Sequence, residues 1–564
     1  MRWLPLLALL LSWQVWPILA QSNPGAPRPN ILIILADDMG FSDIGCYGSE
    51  IATPNIDRLA ASGLRFTQFY NNARCSPTRA SLISGLYPHQ AGAGVLDGDL
   101  GFPGYHGHLT DHTVTIAEVL RGAGYHTFMT GKWHLGTRAP WRPLDRGFEN
   151  YYGILVGVDH YFHPGGLFDE QTKVTSFPEG FYLTDAIGQR AVRYIDEAAA
   201  QHRDQPFFGY IAFTSPHWPL HAPAEDIARY RGKYMCGWDV IRQQRLDKMK
   251  QLGIVPPDTK LSPHSPAYPG FGQGPPDTND PTPAWDSLDD DRKRDMDLRM
   301  AVYAAQIDRM DQNVGRILAA LEKDKLLDNT LILFLSDNGG CGEESIFGFD
   351  GGPFWLRQHK RKAGQPITKG TIGAADSYSS YGMCWANASN TPFRMYKHFV
   401  HEGGIATPLI AHWPAGIPSR GEIRTDVIGH VIDLLPTCAD VAGATYPKQR
   451  NGQDVLPPEG ESFLPALQGK PLSRQRPLFW EHEGNRAVRD GNWKLVSRYG
   501  HPWELYDLST DRAELNDVAA KEPSRVQTMS QQYENWAKRC GVLPFEKVAP
   551  RIEKPRASST TQHS

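Results

Sequence analysis

Asn30–Ala36 reads NILIILA, an apolar run apart from its first residue, and Asp37 and Asp38 follow it directly. A continuous apolar run of this length is typical of a strand that is buried on both faces, as in a parallel sheet. Three further runs have the same character, and we expect all four to lie in one sheet. They are Tyr125–Thr130 (YHTFMT), Pro206–Thr214 (PFFGYIAFT) and Thr330–Ser336 (TLILFLS).

Helical patterns lie between these strands. Pro54, after Thr53, suits the first turn of a helix that continues through Leu59. Strands that alternate with helices predict an α/β fold with a large doubly wound, mixed but mostly parallel sheet flanked by helices. The other predicted helices are Val114–Arg121, Tyr182–Ala199 and Met300–Lys323.

The pattern changes near residue 476, where short strand-like runs replace the alternation of strands and helices. We predict a small C-terminal antiparallel sheet followed by a helix over Pro523–Arg539. The expected organisation is a main domain over 28–470, a small α+β subdomain over 471–545 and a disordered tail over 546–564. The predicted strands of the small sheet are Pro477–Glu481, Arg486–Arg489, Trp493–Ser497 and Trp503–Asp507.

Residues 1–20 have the features of an export signal. Arg2 supplies a positive charge, a Leu-rich stretch follows, and Ala20-Gln21 offers a cleavage site. A retained anchor or lipoprotein is the alternative, although prolines and a glutamine interrupt the stretch. No later segment approaches the roughly 20 apolar residues that span a bilayer, so we expect no stable membrane span and an exported, periplasmic or extracellular protein.

Composition excludes some classes of partner. The formal net charge is −4 and no long basic block occurs, which argues against nucleic acid. The seven cysteines include no CxxC pair, so a zinc ribbon is not expected, and any disulfide pairing is left open. Residues 251–292 are rich in Pro, Gly, Ser and Asp, and we interpret them as a lid-like insertion or a disordered segment. Residues 343–395 form a second irregular excursion that is expected to shape a substrate pocket.

Polar side chains follow each of the four predicted strands. Ligands bind at the carboxyl ends of the strands in open α/β sheets, so we expect these side chains at one edge of the sheet. In chain order they are Asp37 and Asp38, Lys132 and His134, His217, and Asp337 and Asn338.

Four of these residues offer oxygen ligands without a thiol or an imidazole, which favours Ca²⁺ or Mg²⁺ over zinc. Asp37 and Asp38 alone could equally cap a helix or face solvent in a turn. With Asp337 and Asn338 after a matching strand, they predict a metal site that would neutralise an anionic substrate.

The run CSPTRA over 75–80 has no Cys/His signature around it, so ordinary thiol catalysis does not explain Cys75. Pro77 suits the first turn of a helix through Ser84, which puts Cys75 at a helix N-terminus, where free N–H groups favour an anion. Arg79 falls on the same face four residues on. A buried structural cysteine beside a surface arginine is the alternative.

Lys132 and His134 in GKWHLG face the same side of an extended segment, where Lys suits an anionic oxygen and His suits proton transfer. A surface pair is the alternative. His217, nearer its strand end, is the expected active-site histidine, and His221 is expected in the pocket wall or in a structural role. Lys397 would by itself be interpreted as a solvated charge.

These motifs occur in order in one known family. LADDMG, CSPTR, GKWHLG, SPHWPLH, SDNGG and the run from Lys397 to Glu402-Gly403-Gly404 resemble those of the type I sulfatases, the formylglycine-dependent enzymes of the alkaline phosphatase superfamily. The resemblance covers roughly 28–545 and includes WELYDLSTDRAELND near the C-terminus. The stretch WANASNTPFRMYKHFVHEGGIATPLIAHWP is similar to the bacterial arylsulfatases in particular.

The resemblance implies a sulfuric ester hydrolase that releases inorganic sulfate from an aryl or carbohydrate sulfate. A maturation enzyme would oxidise Cys75 to formylglycine, whose hydrated gem-diol attacks sulfur and whose second hydroxyl lets the aldehyde re-form. Arg79 would hold the diol, and His134 would remove the proton of its remaining hydroxyl. The implied ligands of one Ca²⁺, with Mg²⁺ less favoured, are Asp37, Asp38, the oxidised Cys75, Asp337 and Asn338. The implied contacts to the sulfate or its bridging oxygen are Lys132, His217 and Lys397.

Two alternatives stay open. A phosphonate or phosphate monoester hydrolase could use the same fold, although the two-metal phosphatases commonly have Asp-His where this chain has Asp337-Asn338. A catalytically inactive sulfoglycan-binding protein would keep an unmodified Cys75. The expected partner is a sulfated small molecule or glycan, and the sequence leaves its identity, the sulfate position and the oligomeric state open.

Overall fold

The computed structural model describes residues 28–96, 98–266, 282–363 and 365–553. The predicted signal segment 1–20, residues 267–281 of the expected lid-like loop and the end of the expected tail, 554–564, lie outside the described residues. A mixed sheet of ten strands dominates the fold, and a four-stranded antiparallel sheet lies near the C-terminus, as the sequence predicts.

The large sheet is parallel around its central strand, antiparallel pairs follow on both sides, and the pair at one edge is parallel again. Its central strand, Asn30–Asp37, lies parallel to both neighbours, with Ile31 opposite Phe208 and Leu331. In spatial order the strands are β10 (Glu422–His430), β2 (Leu64–Tyr70), β9 (Ala406–His412), β8 (Thr330–Ser336), β1 (Asn30–Asp37), β7 (Phe207–Pro216), β3 (His126–Gly131), β4 (Asn150–Ile154), β5 (Leu167–Asp169) and β6 (Thr172–Lys173).

Helices cover both faces of this sheet. The described helices are α1 (Pro54–Ser62), α2 (Cys75–Ser84), α3 (Pro88–Ala91), α4 (Ile116–Gly122), α5 (Leu183–Gln201), α6 (Ala224–Ala228), α7 (Trp238–Leu252), α8 (Asp290–Lys323), α9 (Phe354–Lys362), α10 (Gly382–Ser389), α11 (Glu402–Ile405), α12 (Leu434–Ala442), α13 (Leu464–Leu467), α14 (Pro523–Cys540) and α15 (Phe545–Glu553).

Successive side chains of β1 point into two different cores because strand side chains alternate between faces. Leu32 and Ile34 belong to the core that includes α5 and α8. Ile31 and Ile33 belong to the core that includes α2, α4 and α12. All eight residues of β1 are buried, which explains why the strand reads as a continuous apolar run.

The structure differs from the sequence interpretation at several points. Helix α8 begins at Asp290, ten residues before the predicted Met300, because the Asp289 side chain caps it by accepting from the Arg292 N–H at 2.7 Å. The excursion 343–395 is not wholly irregular, since it contains α9 and α10. Strands β2, β9 and β10 were not predicted, because polar residues such as Arg65 interrupt their apolar character.

The expected disordered tail is wrong for residues 546–553, which continue helix α15. Phe545, Val548 and Ile552 recur at helical spacing and join an apolar cluster with Val95 and Tyr105. Burial of these three apolar side chains stabilises the helix, although most of the segment is polar.

The small sheet consists of β13 (Leu478–His482), β14 (Asn485–Asp490), β15 (Trp493–Ser497) and β16 (Glu504–Asp507), and α14 packs on it. A further short hairpin pairs β11 (Gln449–Arg450) with β12 (Gln453–Asp454). None of the described helices combines the length and the apolar character that a bilayer span requires. All seven cysteines are described and none forms a disulfide.

A buried ion cluster joins the small sheet to the main domain. Lys494 on β15 is fully buried and lies 2.9 Å from Glu402 Oε1 and 2.8 Å from Glu514 Oε1. Glu402, on α11, also accepts from Tyr70 Oη at 2.9 Å, and Tyr70 is the last residue of β2. Because Lys494 and Glu514 both lie in the C-terminal part of the chain, the pair of this cluster that crosses to the rest of the fold is Lys494–Glu402.

We expect Lys494→Met to lower the free energy of unfolding by about 3–5 kcal/mol, because it leaves two buried carboxylates without their shared cation. Urea unfolding followed by circular dichroism measures this change. Lys521→Met, at an exposed position, is the control and should change stability little. Equal stability of the two variants would contradict the role of the cluster.

Candidate active site

The polar residues that follow the central strands meet at one edge of the sheet. Asp37 ends β1, and Asp337 directly follows β8, the parallel neighbour of β1. The Asp38 N–H donates to Asp337 Oδ1 at 3.2 Å, which joins the two strand ends. Lys132 follows β3 and His217 follows β7, and both side chains are almost completely buried.

Two cations compensate the carboxylates of Asp37 and Asp337. Lys132 Nζ lies 2.7 Å from Asp37 Oδ2. Arg79 donates to Asp337 Oδ2 from Nη2 at 2.7 Å and from Nε at 3.0 Å, and its Nη2 lies 3.5 Å from Asp37 Oδ1. Its Nη1 donates to the Lys132 carbonyl at 2.8 Å. The guanidinium therefore holds the carboxylates of both strands, rather than pointing solely at Cys75.

Asp38 has its own set of partners. Lys397 Nζ lies 2.8 Å from Asp38 Oδ1 and 2.9 Å from Oδ2, and Asn338 Nδ2 donates to Oδ1 at 2.7 Å. His217 Nε2 lies 3.3 Å from Lys397 Nζ and 3.4 Å from Asp38 Oδ2. Lys397, which by itself would be interpreted from the sequence as a solvated charge, thus lies at the centre of the predicted site.

The contacts of the two ring nitrogens of His217 indicate its protonation state. Its Nδ1 donates to the Trp218 carbonyl at 2.5 Å, which leaves Nε2 as the acceptor that faces Lys397. Burial lowers the pKa of His217 well below its ordinary value, and the charge of Lys397 lowers it further. His217 is therefore neutral and directs a lone pair at the centre of the site. His221, by contrast, bonds the Ser377 carbonyl at 2.8 Å.

Burial and nearby cations act in opposite directions on the three carboxyl groups. Burial raises the pKa of Asp37 well above its usual value despite the charge of Lys132. Burial also opposes ionisation of Asp38, but Lys397 and Lys132 outweigh it and lower the pKa. Arg79 and Lys132 do the same for Asp337. The ionised state of Asp38 and Asp337 therefore depends on the cations around them.

Among the described residues, two oxygens of the predicted ligand set are buried without a hydrogen bond: Asp37 Oδ1 and Asn338 Oδ1. Asp37, Asp38 and His217 also each offer a ligand atom within 4.8 Å of the others, one of two such groups of His, Cys, Asp or Glu among the described residues. Oxygens without partners beside ionised carboxylates fit a hard divalent cation. The sequence interpretation assigned His217 to the substrate, whereas the geometry puts it within reach of the same cation.

Cys75 lies at the first position of α2 and is 3% exposed. Burial alone would raise the pKa of its thiol, but Lys132, His134, which also hydrogen-bonds it, and Lys397 together lower the pKa to about 6. The helix N-terminus adds free N–H groups on the same side. Residue 75 therefore lies where negative charge is favoured.

Some residues of the site were missed by the sequence interpretation. Arg74 Nη1 lies 2.6 Å from Glu343 Oε1, and Trp218 Nε1 donates to Glu343 Oε2 at 3.2 Å. Gly157 matters because a Cβ there would lie 2.5 Å from the His134 ring. Glu343 belongs to no motif and reaches the site from a long excursion, so the sequence carried no signal for it.

Comparison with known proteins gives the family. The family model described as Sulfatase matches residues 29–444, and the model described as N-sulphoglucosamine sulphohydrolase, C-terminal, matches residues 393–538. An uncharacterized sulfatase of Schizosaccharomyces pombe is 35% identical over 93% of this chain and 96% of its own length. An arylsulfatase of Klebsiella aerogenes is 34% identical over 80% of this chain and 94% of its own length.

A solved structure agrees with these relatives. The crystal structure of Ps i-CgsB in complex with k-i-k-neocarrahexaose is 27% identical, has a TM-score of 0.64 and covers 94% of this chain and 98% of that one. The chain therefore belongs to the sulfatase family, and the predicted resemblance and fold are confirmed. It is a sulfatase, an enzyme of sulfate ester hydrolysis.

We expect a divalent cation to stabilise the protein, because it would bind the buried oxygens of the cluster. Chelation with EDTA should therefore lower the melting temperature, and added cation should restore it. A cation at 100 times its Kd would raise the free energy of unfolding by about 2.7 kcal/mol. Differential scanning calorimetry of the whole protein measures this. Asn338→Ala should lose most of the response, and Asn535→Ala, at an exposed position, should keep it. A wild-type melting temperature that changes with neither EDTA nor added cation would contradict the metal site.

Proposed function

We propose that this chain is a formylglycine-dependent, Ca²⁺-requiring sulfatase that releases inorganic sulfate from a carbohydrate sulfate and also accepts aryl sulfates. The observation that carries the proposal is the environment of Cys75, a buried helix N-terminus surrounded by Lys132, His134 and Lys397. A tetrahedral anion fits such a pocket because it satisfies several cations and N–H groups at once.

Modification of Cys75 would supply what a thiol lacks. In the matured protein a hydrated aldehyde at position 75 offers one oxygen to attack sulfur and a second hydroxyl for release of sulfate. The CSPTR sequence around Cys75 supports recognition by a maturation enzyme. An export signal over 1–20 and a periplasmic or extracellular location belong to the same proposal, as does the division into 28–470 and 471–545.

The side chains around residue 75 would divide the remaining work. Lys132 and Lys397, each within 3 Å of a carboxylate, would turn toward the sulfate oxygens when substrate enters. Neutral His217 carries no proton on Nε2, so it would pass to the leaving alcohol a proton that Nε2 takes from Lys397, 3.3 Å away. His134, hydrogen-bonded to residue 75, would remove a proton there.

Arg79 has a different role in this proposal. Its guanidinium is fully buried against Asp337 and Asp37, so it would hold both carboxyl groups in place and favour the ionised form of Asp337. A bound cation would lie among Asp37, Asp38, Asp337, Asn338 and residue 75, where it would supply charge to polarise the oxygen under attack. Flexible, all-oxygen coordination favours Ca²⁺ over Mg²⁺, and parallel calorimetric titrations with the two ions distinguish them.

The carbohydrate assignment is supported by relatives. N-acetylgalactosamine-6-sulfatase of Sus scrofa is 28% identical over 89% of this chain, and Ps i-CgsB was crystallised with a neocarrahexaose. The name of the first protein contains a sugar, and the second was crystallised with one. The name of the Klebsiella aerogenes relative, arylsulfatase, refers to an aryl ester instead.

Parallel assays of the matured protein with an aryl sulfate and a phenyl phosphonate monoester test the function. We expect a clear preference for the sulfate in kcat/KM. Lys397→Met should lower kcat on the sulfate by roughly 10²–10³, the usual cost of removing one preorganised charge-stabilising group. Lys521→Met is the matched control and should act like wild type.

Two results would contradict the proposal. A preference for the phosphonate would assign the chain to the phosphonate hydrolases of the superfamily. Tight binding of a sulfated sugar without turnover, with Cys75 unmodified in correctly matured material, would favour a sulfoglycan-binding protein instead.

A further inference from the structure

Helix α9, FWLRQHKRK over Phe354–Lys362, buries none of its residues. Phe354 and Trp355 are 47% and 59% exposed, the largest values among the large apolar side chains of the described residues. Large exposed aromatic side chains next to each other normally mark a surface that meets a partner. The helix lies in the excursion 343–395, which the proposed mechanism does not use apart from Glu343.

One side of α9 holds the helix on the protein. The Phe354 N–H donates to Glu344 Oε2 at 2.7 Å, Lys360 Nζ donates to the Gly351 carbonyl at 3.3 Å, and the Arg357 guanidinium lies 5.9 Å from the Phe349 ring centre. These contacts fix the orientation of the helix without burying its aromatic residues.

The other side of α9 combines aromatic and basic groups. Residues four and seven positions apart share a helix face, so Trp355 lies in line with Lys362, and Phe354 with Arg361. Arg361 and Lys362 are exposed, and neither forms an ion pair with a described residue. The outward face therefore presents flat apolar rings at its start and uncompensated positive charge at its end.

The partner of such a face must be anionic and must also have flat apolar surface. The helix contains four Lys or Arg residues, one histidine and no acidic residue, in a chain whose net charge is −4. A sulfated sugar meets both conditions, because its ring stacks on an aromatic side chain and its sulfate pairs with arginine or lysine.

The helix is linked directly to the wall of the active site. Glu344 accepts from the first residue of α9, and the preceding residue, Glu343, contacts Arg74 and Trp218, which flank Cys75 and His217 in the chain. The Trp218 ring also lies 5.3 Å from the Phe349 ring, against which Arg357 packs. α9 is therefore joined through Glu344 and Glu343 to residues that are next to Cys75 and His217 in the chain.

We propose that α9 is an accessory binding site for a sulfated glycan chain, with a sugar ring on Trp355 and a sulfate on Arg361 and Lys362. The choice of a sugar follows from the proposed function. An anionic membrane surface is the competing partner for a basic helix with aromatic residues. The glycan is favoured because α9 is short, is fixed beside the active site, and carries its aromatic and basic groups on one face rather than on opposite faces.

Binding of dextran sulfate tests the proposal, with unsulfated dextran as the comparison. The whole protein carries Cys75→Ala in every sample, so binding is measured without turnover and without dependence on maturation. Trp355→Ala and the double variant Arg361→Gln/Lys362→Gln are each compared by isothermal titration calorimetry with Lys521→Gln/Lys538→Gln. This control removes the same charge from two exposed positions, Lys521 before α14 and Lys538 near the end of α14.

We expect each α9 variant to raise the Kd for dextran sulfate about threefold to tenfold, which is the loss of one aromatic or charged contact. The control should keep the Kd of the parent, dextran should not bind, and added NaCl should weaken binding of the parent. In otherwise wild-type, matured protein, the α9 variants should leave kcat/KM for a small aryl sulfate unchanged.

Equal Kd values for the α9 variants and the control would overturn the proposal. So would loss of binding to phosphatidylserine vesicles in the α9 variants with unchanged binding to dextran sulfate, because this result would assign the helix to a membrane. Failure of the aryl sulfate assay in matured wild-type protein would overturn the proposed function alone, since glycan binding is measured in the inactive background.

Discussion

The burial of three carboxylates at one edge of the sheet is the constraint on which the rest of the structure depends. Asp37, Asp38 and Asp337 are at most 1% exposed, and removing such charges from water is costly unless each is paired. The chain compensates them with Lys132, Lys397 and Arg79, which come from three different segments. The same cations create the positive pocket around residue 75, so the balance that stabilises the fold also prepares the site for an anionic substrate.

The parallel centre of the sheet makes this arrangement possible. β1 and β8 run side by side with Ala36 opposite Ser336, so the acidic residues that follow them come together without any long loop. Helix α2 then begins at the same edge with Cys75, and its Arg79 binds Asp337. The small C-terminal sheet is joined to α11 through the buried Lys494 cluster.

Much of this could be predicted from the sequence, for physical reasons. The four central strands were recognised because burial on both faces demands a continuous apolar run, and the residues that follow them were expected at one edge because the strands are parallel. β2 and β9 were missed because Arg65 and Pro408 disturb the pattern. Glu343 was missed because its contact with Arg74 joins positions far apart in the chain, and α15 because its apolar stripe folds only against the cluster around Tyr105.

The central claim is that residue 75 acts as a hydrated aldehyde rather than as a thiol. Mass spectrometry of the position-75 peptide, taken from the same preparation whose sulfatase turnover has been measured, tests it directly. The account predicts that the peptide has lost its sulfur and carries an aldehyde that reacts with a hydrazide probe, in proportion to the activity. Full activity in protein whose residue 75 is still an unmodified cysteine would contradict it.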